Sequence, residues 1–195
     1  VEVRGFLTDR LDMKAGRQRI AWGSADRFNP TDILNAYDLE DILDFGRKNA
    51  SDALSLTWYF QGNTSLQGVL ISRFRPANLP LGVFSGVLAA DESALPDVPI
   101  GAYSEHVVLP ERNFRESVSA GLRLKGFVLN TDVSVSYVYG RYSLPFLTQL
   151  WFTPGVSEQG MQLDAFLSFP RFHMMGADLA GQLGRVGIWA EAGVF

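Results

Sequence analysis

Hydrophobic residues alternate with small or polar residues along most of the chain. In the stretch 118–125, Val118, Ala120, Leu122 and Leu124 are interleaved with serine, glycine, arginine and lysine. A period of two places successive side chains on opposite faces of a β-strand. The pattern therefore predicts strands that have one apolar face and one small or polar face.

This alternation recurs in eight segments. We predict strands at 1–7, 12–22, 53–60, 65–73, 117–127, 132–142, 163–182 and 186–195. Short connections that contain Asn, Asp or Gly join these strands in pairs and favour the backbone angles of hairpin turns. The connections between pairs are long, at 23–52, 74–116 and 143–162. Short turns at one end and long loops at the other are typical of an outer-membrane β-barrel.

The alternation alone does not decide which face of the strands points outward. Gly, Ser, Arg, Lys, Asp and Glu on the polar face suit a wet lumen better than a packed core. We therefore predict an all-β protein, an antiparallel up-and-down transmembrane β-barrel, with 1–195 as a single barrel domain or a fragment of one. The alternative is a soluble β-barrel that binds an apolar ligand, with its apolar face turned inward.

Two long connections carry predictions of their own. In 31–46, apolar residues recur every three or four positions, Thr31 or Asp32 can cap the start, and Gly46 can close the end. This pattern predicts a short amphipathic helix inside the first long loop. The loop 74–116 contains five prolines, so we predict that it is irregular and forms the constriction of a pore.

Composition and motifs narrow the function classes. The chain has 195 residues, no Cys and a formal net charge of −4, which excludes thiol nucleophiles and disfavours nucleic acid as a partner. It has no apolar run of about 18 residues, so we predict no transmembrane helix. His106 and His173 lie far apart without a ligand motif, and no Gly-x-Ser-x-Gly elbow is present. We therefore predict no metal, no cofactor and no enzymatic activity.

Acidic residues crowd the predicted helix. They are Asp32, Asp38, Glu40, Asp41 and Asp44. A hard cation such as Ca²⁺ prefers several carboxylate ligands, but the spacing of an EF-hand loop is absent. We therefore favour a solvated helix face over a cation site.

Four cationic residues are candidates for selectivity in a lumen. They are Arg17, Arg19, Arg123 and Lys125. Guanidinium groups bind phosphate or carboxylate with paired donors, so such residues can attract anionic solutes. The alternative is a balanced polar wall in which they pair with acidic residues, namely Asp132, Asp164, Asp178 and Glu191.

Other candidates lie where predicted strands meet long loops. Arg73 and Arg75 lie at the end of the fourth strand, where the chain enters the long loop. We predict that they line a pore mouth or contact lipopolysaccharide phosphates, and the alternative is a solvated loop. Trp22, Tyr142 and Trp151 also lie at such junctions. Aromatic girdles mark the two interfaces of a membrane barrel, so we predict that these three residues form part of one.

The order of short motifs resembles a known family. The run AGRQRIAWG at 15–23 is followed by NPTD at 29–32, then by GLRL at 121–124 and DVSVSY at 132–137, and finally by MGAD at 175–178 and WAEA at 189–192. This order resembles a family of poorly characterised outer-membrane β-barrel proteins of Gram-negative bacteria. That family is similar to phosphate-selective and alginate-export porins.

The resemblance implies a bacterial outer-membrane location and a porin-like channel for passive passage of small polar or anionic solutes. It also implies contact with membrane lipid and lipopolysaccharide. The alternative is a barrel scaffold, a sleeve subunit that holds a partner protein or is completed by another chain. Barrels of this family are about twice as long, and placing the short turns in the periplasm puts both chain ends outside the cell. We therefore expect further strands beyond these eight.

Overall fold

The structure is a computed structural model that describes residues 1–25, 29–40, 44, 46–79, 100–154 and 160–195. Within those ranges the chain forms eleven strands and one short helix. The strands are β1 (Glu2–Val3), β2 (Leu11–Gln18), β3 (Ser51–Tyr59), β4 (Ser65–Ile71), β5 (Ile100–Val108), β6 (Ser119–Val128), β7 (Thr131–Arg141), β8 (Phe146–Pro154), β9 (Met161–Ser168), β10 (Arg171–Leu183) and β11 (Val186–Val194). The helix, α1, is Phe114–Ser117.

Eight strands form one antiparallel sheet in the order β1-β2-β3-β4-β6-β7-β10-β11. Short turns close four antiparallel hairpins in this sheet, namely β1–β2, β3–β4, β6–β7 and β10–β11. Gly62 and Asn63 have positive φ angles of 72° and 61°, and Leu129 and Asn130 have 49° and 63°. These are the angles that tight hairpin turns require. The all-β class and the hairpin pairing predicted from the alternation are confirmed.

The second sheet was not predicted. It has three strands in the order β5-β9-β8, with β5 parallel to β9. The predicted strand 163–182 is therefore wrong as a single element, because it divides into β9 and β10 at Phe169 and Pro170. Proline has no backbone N–H to donate, so it is found at the boundary of a ladder rather than within it.

The loop 74–116 is not wholly irregular, since it contains β5 and α1. Asn113 caps α1, because its side-chain oxygen accepts a hydrogen bond from the Glu116 N–H at 2.7 Å. The central part of this loop, 80–99, lies outside the described residues. That the loop 74–116 forms the constriction of a pore therefore stays a prediction.

The helix predicted over 31–46 is wrong where the structure describes it. Residues 31–40 form turns and two isolated bridges, Tyr37 with Lys48 and Asp38 with Asn78. Residues 41–43 and 45 lie outside the described residues. The helical period was misleading because the apolar side chains of this segment pack against a sheet from an irregular backbone, which needs no 3.6-residue repeat.

The two faces of the eight-stranded sheet differ in chemistry and in exposure. One face is covered by residues 19–25 and 29–38, and we call it the covered face. Its core is a cluster of buried residues: Ile20, Trp22, Leu34, Ala53, Val69, Ile71, Val138, Phe172 and Met174. The opposite face, called here the exposed face, carries large apolar residues that remain accessible: Leu54, Leu56, Leu66, Leu70, Leu122, Leu124, Val135, Tyr137 and Met175.

The sheet has two ends within the part of the chain that the structure describes. There β1 pairs with β2 alone and β11 with β10 alone, so these strands do not close into a barrel. In the same residues, no helix has the length and apolar character needed to cross a membrane.

Candidate functional site

The candidate site is the covered face, where a stretch of chain lies against polar side chains of the sheet. We call this stretch, residues 19–25 and 29–38, the inner segment. It begins where β2 ends, and Trp22 anchors it. The Trp22 side chain is 2% exposed, and its Nε1 donates to Gln67 Oε1 on β4 at 2.8 Å. Gly121 on β6 leaves room for the ring, because a Cβ at that position would lie 2.6 Å from Trp22 Cη2.

Glu191 on β11 holds the other side of the inner segment. Its Oε2 accepts from the backbone N–H groups of Ser24 at 2.9 Å and Ala25 at 3.0 Å. Its Oε1 accepts from Thr31 N at 2.8 Å and Thr31 Oγ1 at 2.7 Å. Hydrogen bonds to an ionised acceptor are stronger than neutral ones. Four of them make Glu191 the principal contact between β11 and the inner segment.

A second network fixes the middle of the inner segment. Arg19 Nη1 donates to Asp32 Oδ1 at 2.9 Å, and Arg19 Nη2 donates to Asp32 Oδ2. Asn35, which is 1% exposed, accepts from the Ile20 N–H at 2.8 Å and donates to Ser51 Oγ on β3 at 3.0 Å. Every polar atom of the Asn35 amide is therefore engaged in joining the inner segment to itself and to the sheet.

Lys48 adds a buried cation to this network. Its side chain is 4% exposed, and its Nζ lies 3.5 Å from Asp32 Oδ2 and 4.4 Å from the centre of the Tyr37 ring. Burial lowers the pKa of Lys48, although the nearby Asp32 carboxylate acts in the opposite direction. Burial, helped by the same carboxylate, raises the pKa of Tyr37. The network thus carries two cations, Arg19 and Lys48, around one carboxylate.

A third polar group lies on the covered face of β6, β7 and β10. Arg123 Nε donates to Ser134 Oγ at 2.9 Å, and Arg123 Nη2 lies 3.3 Å from Asp178 Oδ1. Two residues along β6, Lys125 Nζ lies 3.2 Å from Asp132 Oδ1. Each of these cations has a carboxylate partner, so the wall is polar but its charges are paired.

Cavities continue along the covered face. One of about 340 Å³ lies between the inner segment and β2–β4, and its lining includes Lys14, Thr57, Tyr59 and Gln67. Another of about 600 Å³ lies towards the short turns and includes Lys125 and Tyr59. The covered face is therefore filled by the inner segment only over part of its length.

The four predicted selectivity residues are not brought together on one wall. Arg123 and Lys125 share the covered face. Arg19 lies beyond the end of β2 and is held by Asp32. Arg17 pairs in register with Asp52 on the opposite side of the sheet, and its Nε lies 3.4 Å from Asp52 Oδ1.

Arg75 also reaches Asp52, where its Nη2 donates to Oδ2 at 2.7 Å. Arg73 is exposed, and both Arg73 and Arg75 line one cavity at the root of the loop that follows β4. Whether that place is a pore mouth stays a prediction.

Of the three residues predicted to form part of an aromatic girdle, Trp22 is contradicted by its burial, and for Tyr142 and Trp151 the girdle stays a prediction. Trp22, which belongs to the inner segment, is buried against the sheet. Tyr142 packs on Phe172 at 4.7 Å between ring centres. Trp151 is exposed, but it lies on β8 of the smaller sheet. The sequence showed that strands end near these residues, but it did not show that the chain turns inward at Trp22.

Other predicted ligand groups are used within the protein. Asp38 Oδ2 lies 2.9 Å from Arg47 Nε, and His106 Nε2 lies 3.2 Å from Asp164 Oδ1 while its ring stacks on Phe166. His173 Nδ1 lies 2.7 Å from the Tyr137 hydroxyl. In the described ranges, no group of three or more His, Asp or Glu residues has the arrangement of a metal site.

The strongest contacts of the site were missed from the sequence. Asn35 and Lys48 were not singled out. Thr31 was considered only as a helix cap, and Glu191 only as a partner of the cationic residues. The NPTD run at 29–32 could have indicated a turn at this position. In the structure, Asn29 Oδ1 accepts from the Thr31 and Asp32 N–H groups at 3.1 Å and 2.8 Å. This turn presents Thr31 to Glu191.

Comparison of the chain with protein-family models, with curated proteins and with solved structures gives no match.

Proposed function

We propose that this chain forms the wall of an outer-membrane β-barrel whose polar covered face lines a passage for small polar solutes, anionic ones included. The observation that carries the proposal is the distribution of side chains on the eight-stranded sheet. Leucines such as Leu54, Leu56 and Leu122 are more than a third exposed on one face, whereas Ser134, Ser136 and Arg123 lie on the other. An apolar outward band with a polar interior is the pattern of strands that contact lipid.

The connectivity supports the same proposal. Neighbours in the eight-stranded sheet are also neighbours along the chain, once β5, β8 and β9 are set aside. The short turns all lie at one end, and the smaller sheet is built from the long connections at the other. A soluble barrel that binds an apolar ligand is less consistent with this sheet, because its apolar side chains would face inward.

We propose the inner segment as the constriction of the passage. Ile20, Trp22 and Leu34 fill the covered face at one level, and cavities remain beside and beyond them. Because Arg123 and Lys125 are paired with Asp178 and Asp132, the wall favours weak rather than strong preference for anions. A hydrated wall with balanced charge still lowers the cost of moving a polar solute through lipid.

The second candidate function is a scaffold, a sleeve that holds or is completed by another chain. Two observations favour it: the inner segment already occupies part of the covered face, and both sheet ends are unpaired within the described ranges. A completed passage conducts ions, whereas a filled sleeve conducts little.

Conductance of the protein purified from its native membrane therefore separates the two. We expect stepwise ionic currents after insertion into a planar lipid bilayer, with a reversal potential close to zero in a KCl gradient. A strong anion preference would contradict the paired-charge wall. Silent insertion, verified by protease protection of the inserted chain, would contradict the channel and favour the scaffold.

A further inference from the structure

A cavity of about 580 Å³ lies at the root of the long connection between β4 and β6. Its wall comes from two stretches, 72–76 and 109–117, that leave and re-enter the large sheet. The ladder between β4 and β6 ends at Ile71 and Ser119, so the two stretches separate at this point. The cavity is therefore a consequence of how the loop departs from the sheet.

Three arginines line this cavity: Arg73, Arg75 and Arg112. Arg73 and Arg112 are exposed, and no carboxylate among the described residues forms an ion pair with either. Arg75 donates to Asp52 through Nη2, but its Nε is buried and has no hydrogen-bond partner among the described residues. The acidic residues nearby are committed elsewhere, since Glu111 accepts from Asn113 and Glu116 pairs with Arg141.

The rest of the wall combines apolar side chains with the polar residues Ser72, Asn113 and Ser117. Leu109 and Phe114 are 55% and 61% exposed, and Phe74 is held in place by an edge contact with Phe169 at 5.1 Å between ring centres. Exposed aromatic and aliphatic side chains beside arginines form a surface with one charged side and one apolar side. Such a surface matches a molecule that carries an anionic group next to a hydrocarbon chain.

We propose that this cavity binds the phosphorylated headgroup of a lipid, with Arg73 and Arg112 contacting the phosphate and Phe114 and Leu109 contacting the first carbons of the acyl chains. Guanidinium groups present paired donors that match phosphate oxygens. The choice of a lipid as the source of the phosphate rests on the proposed membrane location. The phosphate site itself does not depend on whether the protein conducts.

The test is calorimetric titration of the detergent-purified protein with dihexanoyl phosphatidic acid, dihexanoyl phosphatidylcholine and inorganic phosphate. We expect saturable binding of the phosphatidic acid, with at least tenfold weaker binding of the other two. The double variant Arg73→Gln/Arg112→Gln loses at least tenfold in affinity. The matched control, Arg185→Gln in the turn between β10 and β11, keeps the affinity of the unmodified protein.

Three results would overturn the inference: no saturable binding of phosphatidic acid, unchanged affinity in the double variant, or inorganic phosphate that binds as tightly as the lipid. Both substituted arginines are exposed, so the double variant should fold, and its heat-induced mobility shift on electrophoresis verifies this. Loss of lipid binding leaves the conductance experiment unaffected. A silent protein that still binds the lipid would overturn the channel alone.

Discussion

Thr31 and Glu191 are 160 residues apart in the chain, yet one carboxylate oxygen of Glu191 accepts from both the backbone N–H and the hydroxyl of Thr31. The approach is close enough that Gly176 is required beside them, because a Cβ there would lie 2.5 Å from Thr31 Cγ2. Glu191 thereby joins the inner segment to the strand that is farthest from it in sequence.

Removing this carboxylate should loosen the inner segment. Glu191→Ala leaves the N–H groups of Ser24 and Ala25 without their acceptor and leaves Thr31 with Asn29 Oδ1 alone. Hydrogen bonds to charged groups contribute about 1.5–3 kcal/mol each before compensation by water. We expect the free energy of unfolding in urea to fall by roughly 2–4 kcal/mol, with larger and noisier single-channel currents. Asp9→Ala, which removes an exposed carboxylate in the turn between β1 and β2, is the control and should change neither quantity. Unaltered currents in Glu191→Ala would mean that the inner segment is not the constriction.

Gly121 should be intolerant of any side chain. A Cβ at this position meets the buried Trp22 ring at 2.6 Å, and overpacking of this kind costs about 1–3 kcal/mol. We expect Gly121→Ala to lower stability by that amount and to shift the tryptophan emission to longer wavelength. At Gly68 a Cβ would meet only Leu122 Cδ2, at 3.5 Å. Gly68→Ala is therefore the matched control, and equal effects of the two substitutions would exclude the close approach of Trp22.

Adjacent residues of β3 provide a test of which face meets lipid. Leu56 lies on the exposed face and Thr57 on the covered face, where it pairs in register with Asp12. A lysine on the lipid face of a membrane barrel costs about 2–4 kcal/mol near the bilayer centre. We expect Leu56→Lys to reduce the amount of folded protein in outer-membrane fractions several-fold, whereas Thr57→Lys is tolerated. The reverse order would mean that the covered face, not the exposed one, is in contact with lipid.

Lys48 should make stability depend on pH in the alkaline range. Its pKa in the folded protein lies below the ordinary value of 10.5 because the amine is buried. Between the two values the unfolded chain keeps the proton that the folded chain has lost, so stability rises with pH. We subtract the unfolding free energy of Lys48→Met from that of the unmodified protein. We expect this difference to increase as the pH rises towards 10.5.

The measurement is urea denaturation of both proteins at several pH values. Because the raised pKa of Tyr37 opposes this trend only above its ordinary value of 10.0, points below pH 10 give the clearest comparison. A difference that stays constant, or that decreases with pH, would show that burial does not dominate at Lys48.

The strands of the large sheet could be read from the sequence because alternation is a local property. Along β6, for example, the size and polarity of each side chain indicate which face of the sheet the residue occupies. The parallel pairing of β5 with β9 could not be read in this way, because it joins segments that are about sixty residues apart and leaves no local pattern. The division at Pro170 was visible in principle, since proline interrupts a hydrogen-bonded ladder.

The candidate site was harder to predict for a related reason. Arg17 and Arg19 are two apart and would share a face in a continuous strand, but β2 ends at Gln18 and the chain turns inward. The charge balance of the wall, by contrast, was one of the two alternatives that the composition allowed. Arg123 with Asp178 and Lys125 with Asp132 correspond to that alternative.

The Glu191 contact also has a consequence for the order of folding. The inner segment follows β2 directly in the chain, but the carboxylate that accepts from Ser24, Ala25 and Thr31 lies on β11, so these contacts cannot form until β11 has joined the sheet. Contacts between residues so distant in sequence form late, because the entropy of closing the loop must be overcome first. We therefore expect the inner segment to be held first by its contacts with β3 and β4, and its docking on Glu191 to follow when β11 is added.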